Sequence, residues 1–201
     1  ERVVAAHPGE RIDVSEVLTI SDAAALAHLQ AEARTLGREG LMLKRRDSVY
    51  TGGRVKGHWF KWKRDPHTAD AVLMYAQRGH GKRSSFYSDY TFGVWAGEEL
   101  TPVGKAYFGF TDEELMELDK FVRNNTTNRF GPVREVKHSK QKGLVLEVAF
   151  EGLQRSTRHK SGVAMRFPRI SRIRWDKAPK DADTLEALEK LLGYRAVNAQ
   201  A

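Results

Sequence analysis

The sequence predicts an α+β chain in two unequal parts: a helix-and-strand segment over residues 1–68, then a five-stranded barrel with a C-terminal helix over residues 69–201. Three observations predict it. Five runs of strand-forming residues follow Asp65-Pro66-His67, the second alternating aromatic and polar residues with the period of a half-buried strand. A helical stripe with a capping signal sits between the third and fourth runs. Ahead of Asp65 the pattern is different, one helix set among short apolar runs.

Residues 1–20 carry Val3, Val4, Ile12, Val14, Val17, Leu18 and Ile20 around Pro8 and Gly9, which reads as two short strands joined by a turn. Ser21 or Asp22 then caps a helix running to about Leu36, with Ala25, Leu26, Leu29, Ala33 and Leu36 on one face and Gly37 as its stop. Leu41, Met42 and Leu43 form a strand opened by Glu39. Gly52, Gly53 and Gly57 mark a loop, and Trp59–Lys63 is the next strand. Its period of two sends Lys61 and Lys63 to one side, about 7 Å apart. Such a pair is either a clamp for phosphate oxygens or a solvated strand face. A carboxylate on the neighbouring strand would hold a divalent metal or a ribose hydroxyl beside it. One helix and about four short strands are too few to close a core without staples, so this segment is expected to be the end of a larger domain, and the chain a fragment.

Asp65, Pro66 and His67 read as a hinge. Beyond it come Ala71–Ala76, Phe86–Trp95 and Val103–Phe110 as strands, then a helix capped by Thr111 with Glu114 completing a capping box and Leu115, Leu118 and Phe121 as its stripe. Leu144–Phe150 and Val163–Trp175 are the fourth and fifth strands, and Asp183 or Thr184 caps a last helix through Leu192. Three strands, a helix and two strands is the order of an OB-fold barrel, which commonly binds nucleic acid on its strand face and loops. Its first hairpin loop holds Gly79, Gly81, Lys82 and Arg83; Arg83 stands where a Walker A loop needs Ser or Thr, so the glycines either make the turn or let the loop meet phosphate. Arg166, Arg169, Arg172, Arg174 and Lys177 crowd one short stretch, which calls for a bound anion or for splaying into water.

Composition narrows the function classes. A net charge of +8 and a pI of about 9.7 favour a polyanionic partner, nucleic acid before membrane, since no basic amphipathic helix is present. No long apolar run or signal-peptide layout occurs, which argues against a membrane protein. The absence of cysteine excludes a disulfide framework and a thiolate site and suits a cytoplasmic protein. The seven histidines have no i, i+4 pair for a metal.

Three stretches carry a resemblance. EGLMLK at Glu39–Lys44, WFKWK at Trp59–Lys63 and RFPRISRIRWDK at Arg166–Lys177 resemble motifs IV, V and VI of ATP-dependent DNA ligases, in the same order. GKRSSFYSDYTFGVW followed by GKAYFGFTDEEL resembles the bacterial members that carry a DNA-binding domain before the catalytic core. The resemblance implies that residues 1–68 end an adenylation (nucleotidyltransferase) domain and that the barrel is its OB domain. It implies ATP and Mg2+ as cofactors, nicked double-stranded DNA as partner, no membrane, and a monomer.

It further implies that Glu39 helps hold the metal, that Lys61 and Lys63 contact the AMP phosphate, and that Arg54, or equally Lys56, reaches the nucleotide. Arg166, Arg169, Arg174, Asp176 and Lys177 would close over pyrophosphate during adenylation as the OB domain swings in, and Lys82 and Arg83 would track DNA. The family's nucleophile lies in a Lys-x-Asp-Gly motif, a tetrapeptide missing from these 201 residues. The fragment is therefore expected to form no AMP adduct alone. Two other readings use the same residues: an OB module that binds DNA without catalysis, and an RNA ligase or capping-type nucleotidyltransferase.

Overall fold

The computed structural model describes residues 2–6, 14–36, 38–79, 85–107 and 111–195. The chain divides into two compact units, Glu1–Arg64 and Asp65–Ala201.

In the first unit, Arg2–Ala6 is a short helix (α1) and residues 14–20 have no regular structure, so the expected pair of N-terminal strands is not formed there. Alanine at positions 5 and 6 favours helix over strand. Val14, Val17 and Leu18 are exposed, so no buried face rewards an extended chain. Pro8, Gly9 and Ile12 lie outside the described residues. Helix α2 spans Ala23–Thr35. Asp22 is its cap, accepting a hydrogen bond from the Ala25 N–H at 2.8 Å. Its inward face carries buried Ala33 with half-buried Ala25, Leu26 and Leu29, while Leu36 is exposed and Gly37 lies outside the described residues. Strands β1 (Gly40–Lys44) and β2 (Trp59–Lys63) form an antiparallel pair with Met42 opposite Lys61 and Gly40 opposite Lys63.

The second unit is built on β3 (His67–Arg78), whose inward residues are almost all buried. The order across the main sheet is β11-β8-β3-β4-β5, from β4 (Tyr87–Ala96), β5 (Glu99–Tyr107), β8 (Val145–Phe150) and β11 (Arg169–Arg174). All these pairings are antiparallel. The sheet curls until β5 approaches β11 and the short strand β10 (Val163–Arg166) without a ladder between them, giving a partly open barrel. Tyr90, Phe92, Phe150, Leu73 and Leu146 fill the interior. Helix α3 (Asp112–Asn124) adds buried Leu118 and Val122. The expected capping box is present: Thr111 accepts from the Glu114 N–H, and the Glu114 carboxylate accepts from the Thr111 N–H at 3.0 Å.

Three features depart from the sequence expectation. After α3, β6 (Thr126–Phe130) and β7 (Val133–Val136) form a hairpin, and β7 pairs with the far half of β3. Residues Thr126–Phe130 are almost wholly exposed, so no apolar alternation announced a strand; the Gly131-Pro132 turn was the available signal, with Gly131 at φ +56°. The expected single strand over Val163–Trp175 is two strands, broken where Phe167 takes a left-handed φ of +50° and Pro168 lacks a ladder donor. Strand β10 pairs with β9 (Gly152–Arg155) instead of continuing along β8.

The C-terminal segment closes one end of the barrel. Asp183 accepts from the Asp70 N–H and donates its own N–H to the Asp70 carbonyl, both at 2.8 Å. The Trp95 indole donates to the Pro179 carbonyl at 2.7 Å. Thr184 then caps α4 (Leu185–Glu189), followed by a 3-10 turn over Lys190–Arg195.

Candidate functional site

In the first unit the chemistry gathers on one face of the β1–β2 hairpin. Residues directly opposite in an antiparallel pair share a face. The register therefore puts Gly40, Met42 and Lys44 with Lys63, Lys61 and Trp59, and sends Leu41, Leu43, Phe60 and Trp62 to the other side. Glu39 enters this face through an ion pair, its carboxylate 3.0 Å from the Lys63 Nζ. A cleft of about 200 Å³ is lined by Glu39, Gly40, Met42, Lys61 and Lys63 with the flanking strand residues.

Glycine at position 40 is required by geometry. A Cβ there would lie 2.2 Å from the Trp62 carbonyl oxygen, and the backbone has φ +145°. The close approach lets Glu39 turn towards the lysine pair. Trp59 is clamped at the other end of the same face: the Lys44 Nζ stands 4.5 Å from its ring centroid and Tyr50 packs at 6.0 Å. Neither partner of Trp59 was singled out in the sequence, although the alternation of Lys44 with Leu43 in β1 was a signal for it. Arg54 and Lys56 both lie exposed in the loop between the strands, so their positions do not choose between them.

Among the described residues no group of three or more His, Asp or Glu converges as a metal cage. Glu39 is a single carboxylate beside two lysines. That donor set fits a small hard cation completed by water and by a ligand's phosphate oxygens, the usual way Mg2+ is held.

In the second unit the register explains how the arginine-rich stretch is arranged. A bulge at Ser171 lets Ile170 and Ile173 both face the core despite their odd spacing. Arg169, Arg172 and Arg174 consequently share the outer face. Arg172 pairs with Glu147 directly across the ladder at 3.0 Å. The Arg174 guanidinium grips Asp176 through two contacts of 2.9 Å and reaches Asp70 on β3 at 3.1 Å; Lys177 meets the same Asp70 carboxylate at 2.7 Å. Arg174 holds the Asp176 carboxyl down at about 2, and the Asp176 hydrogen bond raises the Arg174 pKa in return. Asp70 is the residue sequence reasoning missed, because it lies 104 positions from Arg174 and only the β3–β8–β11 order brings them together.

Arg166 and Arg169 lie apart from this network and are exposed, Arg166 resting 5.3 Å from the Phe167 ring centroid. The structure thus groups Arg174, Asp176 and Lys177 and leaves Arg166 and Arg169 outside that group. Lys82 and Arg83 lie outside the described residues. No described helix is long and apolar enough to cross a membrane.

A helix with a lysine-paired, carboxylate-bearing hairpin, followed by a partly open barrel with a cationic outer strand, defines the class: an α+β unit joined to an OB-type barrel. Comparison with known proteins specifies it. The ATP-dependent DNA ligase domain model matches residues 2–63, and the model of the ATP-dependent DNA ligase C-terminal region matches residues 83–177. A probable DNA ligase of Koribacter versatilis is 47% identical over 85% of this chain and 29% of its own length. A DNA ligase of Halorubrum lacusprofundi is 39% identical over 86% of this chain and 28% of its own. A solved structure from a study of Lig E DNA ligases superposes with a TM-score of 0.57 at 21% identity, covering 86% of this chain and 55% of that one, a likeness of fold. The chain belongs to the ATP-dependent DNA ligase family. It spans less than a third of the length of those two relatives.

Proposed function

We propose that this chain is the portion of an ATP-dependent DNA ligase that holds the nucleotide phosphates and carries the OB domain, within an enzyme that seals nicks in duplex DNA. The observation that supports it most is the paired-lysine face with Glu39 beside Lys63. Nucleotidyl transfer asks a protein mainly to neutralise and align phosphates, and this face supplies cations and a carboxylate at strand spacing.

The reaction runs in three displacements. A lysine amine attacks the α-phosphorus of ATP and expels pyrophosphate; the 5′-phosphate of the nick takes the AMP and frees the lysine; the 3′-hydroxyl attacks that activated phosphate and expels AMP. In this chain Lys61 and Lys63 bind the α-phosphate and offset the charge that builds on its oxygens. Glu39 would help hold a divalent ion, Mg2+, which when bound would neutralise phosphate charge. Arg54 or Lys56 reaches the nucleotide from the loop. Arg166 and Arg169, exposed on their strands, serve the pyrophosphate leaving group, while Arg174, Asp176 and Lys177 hold the outer strand in register through Asp70 and complete that cationic surface. Lys82 and Arg83 track DNA.

With no Lys-x-Asp-Gly in its 201 residues, the chain by itself forms no AMP adduct. Intact mass after incubation with ATP and Mg2+ checks this: an unchanged mass is expected, and a gain of one AMP would relocate the nucleophile to this chain. In an enzyme that includes the nucleophile motif, Lys61→Ala is expected to lower the rate of AMP-adduct formation by about a hundredfold, the scale of removing a charged transition-state contact. Adenylation within a few-fold of the unmodified rate would refute the assignment.

A further inference from the structure

The barrel has a second concentration of cationic groups that the nucleotidyl-transfer chemistry does not use. Arg78 at the end of β3, Arg123 in the last turn of α3, Arg129 on β6 and Arg134 on β7 line one cleft of about 340 Å³ together with Tyr87 and Thr126. They come from four elements spread over 57 positions, Arg78 to Arg134, and only the fold assembles them.

The arrangement is costly without an anion. Arg129 and Arg134 are directly opposite on the β6–β7 ladder and so share a face, where like charges destabilise a hairpin. Glu135 cannot relieve them, since strand alternation turns it to the other side. The Arg78 and Arg123 guanidinium carbons stand 5.7 and 5.9 Å from the centroid of the same Tyr87 ring, so one aromatic platform carries two cations. The Arg78 Nε is buried and has no hydrogen-bond acceptor among the described residues. Among the described residues one carboxylate answers the four: Asp119 binds Arg123 at 2.5 Å. Arg134 spends one terminal nitrogen on the Gly131 and Val133 carbonyls, which fixes its guanidinium in place and leaves its charge unneutralised.

We propose that Arg78, Arg123, Arg129 and Arg134 form a binding site for a multiply charged phosphate ligand on the rim of the barrel, distinct from the paired-lysine face. Three uncompensated guanidinium groups in a preformed fork suit a tetrahedral oxyanion with several charged oxygens better than a lone carboxylate. Two sources share that chemistry: adjacent phosphodiesters of a DNA strand, and free pyrophosphate. The site does not depend on the nucleotidyl-transfer reading, because it lies wholly within the barrel unit.

The test measures binding of two probes to the full chain, pyrophosphate by calorimetry and a nicked duplex by fluorescence anisotropy at fixed salt. Arg129→Gln is the first variant: Arg129 is exposed, so the fold is not at risk. Arg78→Gln is the second. Lys180→Gln, exposed and outside the cluster, makes the same change of net charge and is the control. Each arginine variant is expected to weaken at least one probe about tenfold, the loss of one charge-assisted contact, while the control stays within twofold. Loss confined to the duplex assigns the site to the DNA backbone, and loss of pyrophosphate binding with duplex affinity intact assigns it to the free anion. The proposal is overturned if both probes bind both arginine variants as they bind the parent chain, or if Lys180→Gln loses as much.

Discussion

The two units carry their cations on very different foundations. Strand β3 of the barrel has neighbours along both edges, and Ala71, Val72 and Leu73 in it are wholly buried. The hairpin of the first unit is a two-stranded sheet whose second strand is exposed along its length, with Phe60 at 53% and Trp59 at 43% accessibility. A lone two-stranded hairpin is marginal in water. Within these 201 residues the barrel presents its arginines from a wall of paired strands, whereas the lysine pair sits on a hairpin with no further strand beside it among the described residues. Rigid support suits the permanent ion network around Asp70.

That contrast breaks first on core truncation. Leu146→Ala, on β8 and fully buried, is expected to cost ~2–5 kcal/mol by transfer loss plus cavity. Phe60→Ala should cost less than about 1 kcal/mol because half its surface is already in water. Urea unfolding followed by circular dichroism measures both. Equal losses would mean that the hairpin is as deeply packed as the barrel. Gly40→Ala sharpens the comparison within the hairpin. The added methyl meets the Trp62 carbonyl and an unfavourable φ, a local cost of ~1–3 kcal/mol. Hydrogen exchange at β1 and β2 should accelerate while protection in β3 and β8 stays unchanged.

Legibility followed the same division. The barrel's five runs and the Thr111 capping box were readable because local signals and buried faces agree there. Lys61 and Lys63 on one face followed from period alone. What escaped had no local cause. Asp70 enters the Arg174 network only through strand order. Phe167 and Pro168 interrupt an otherwise continuous strand pattern by backbone geometry. The β6–β7 hairpin, which supplies half of the arginine cluster, is polar and so left no apolar period to read. At the N-terminus the error ran the other way: β-branched residues suggested strands, whereas Arg2–Ala6 is helical and residues 14–20 have no regular structure.

The smallest expected effect comes from a motif the two units share. Arg45-x-Asp47 and Arg174-x-Asp176 each form a two-pronged contact, from Nε at 3.0 and 2.9 Å and from Nη2 at 2.5 and 2.9 Å. Both carboxylates have 68% accessible side chains, and both pKa values are lowered first by that arginine. The difference lies in the arginine: Arg45 is 56% accessible and Arg174 only 21%, because Arg174 also holds Asp70 on β3. A carboxylate whose pKa falls on folding adds stability that is complete above its ordinary value near 3.8 and disappears as pH drops towards the folded value, about 2 for Asp176. Asp176→Asn should therefore flatten the acid side of the barrel's stability profile across that window, since the amide still accepts a hydrogen bond but no longer titrates. Asp47→Asn should leave that profile unchanged, because Asp47 lies in the other unit and, among the described residues, the Arg45 guanidinium binds only within its own turn. Acid titrations of both variants, followed by tryptophan fluorescence, separate the cases. A flattened barrel profile in Asp47→Asn, or none in Asp176→Asn, would show that the link through Arg174 to β3 does not govern how the pair contributes.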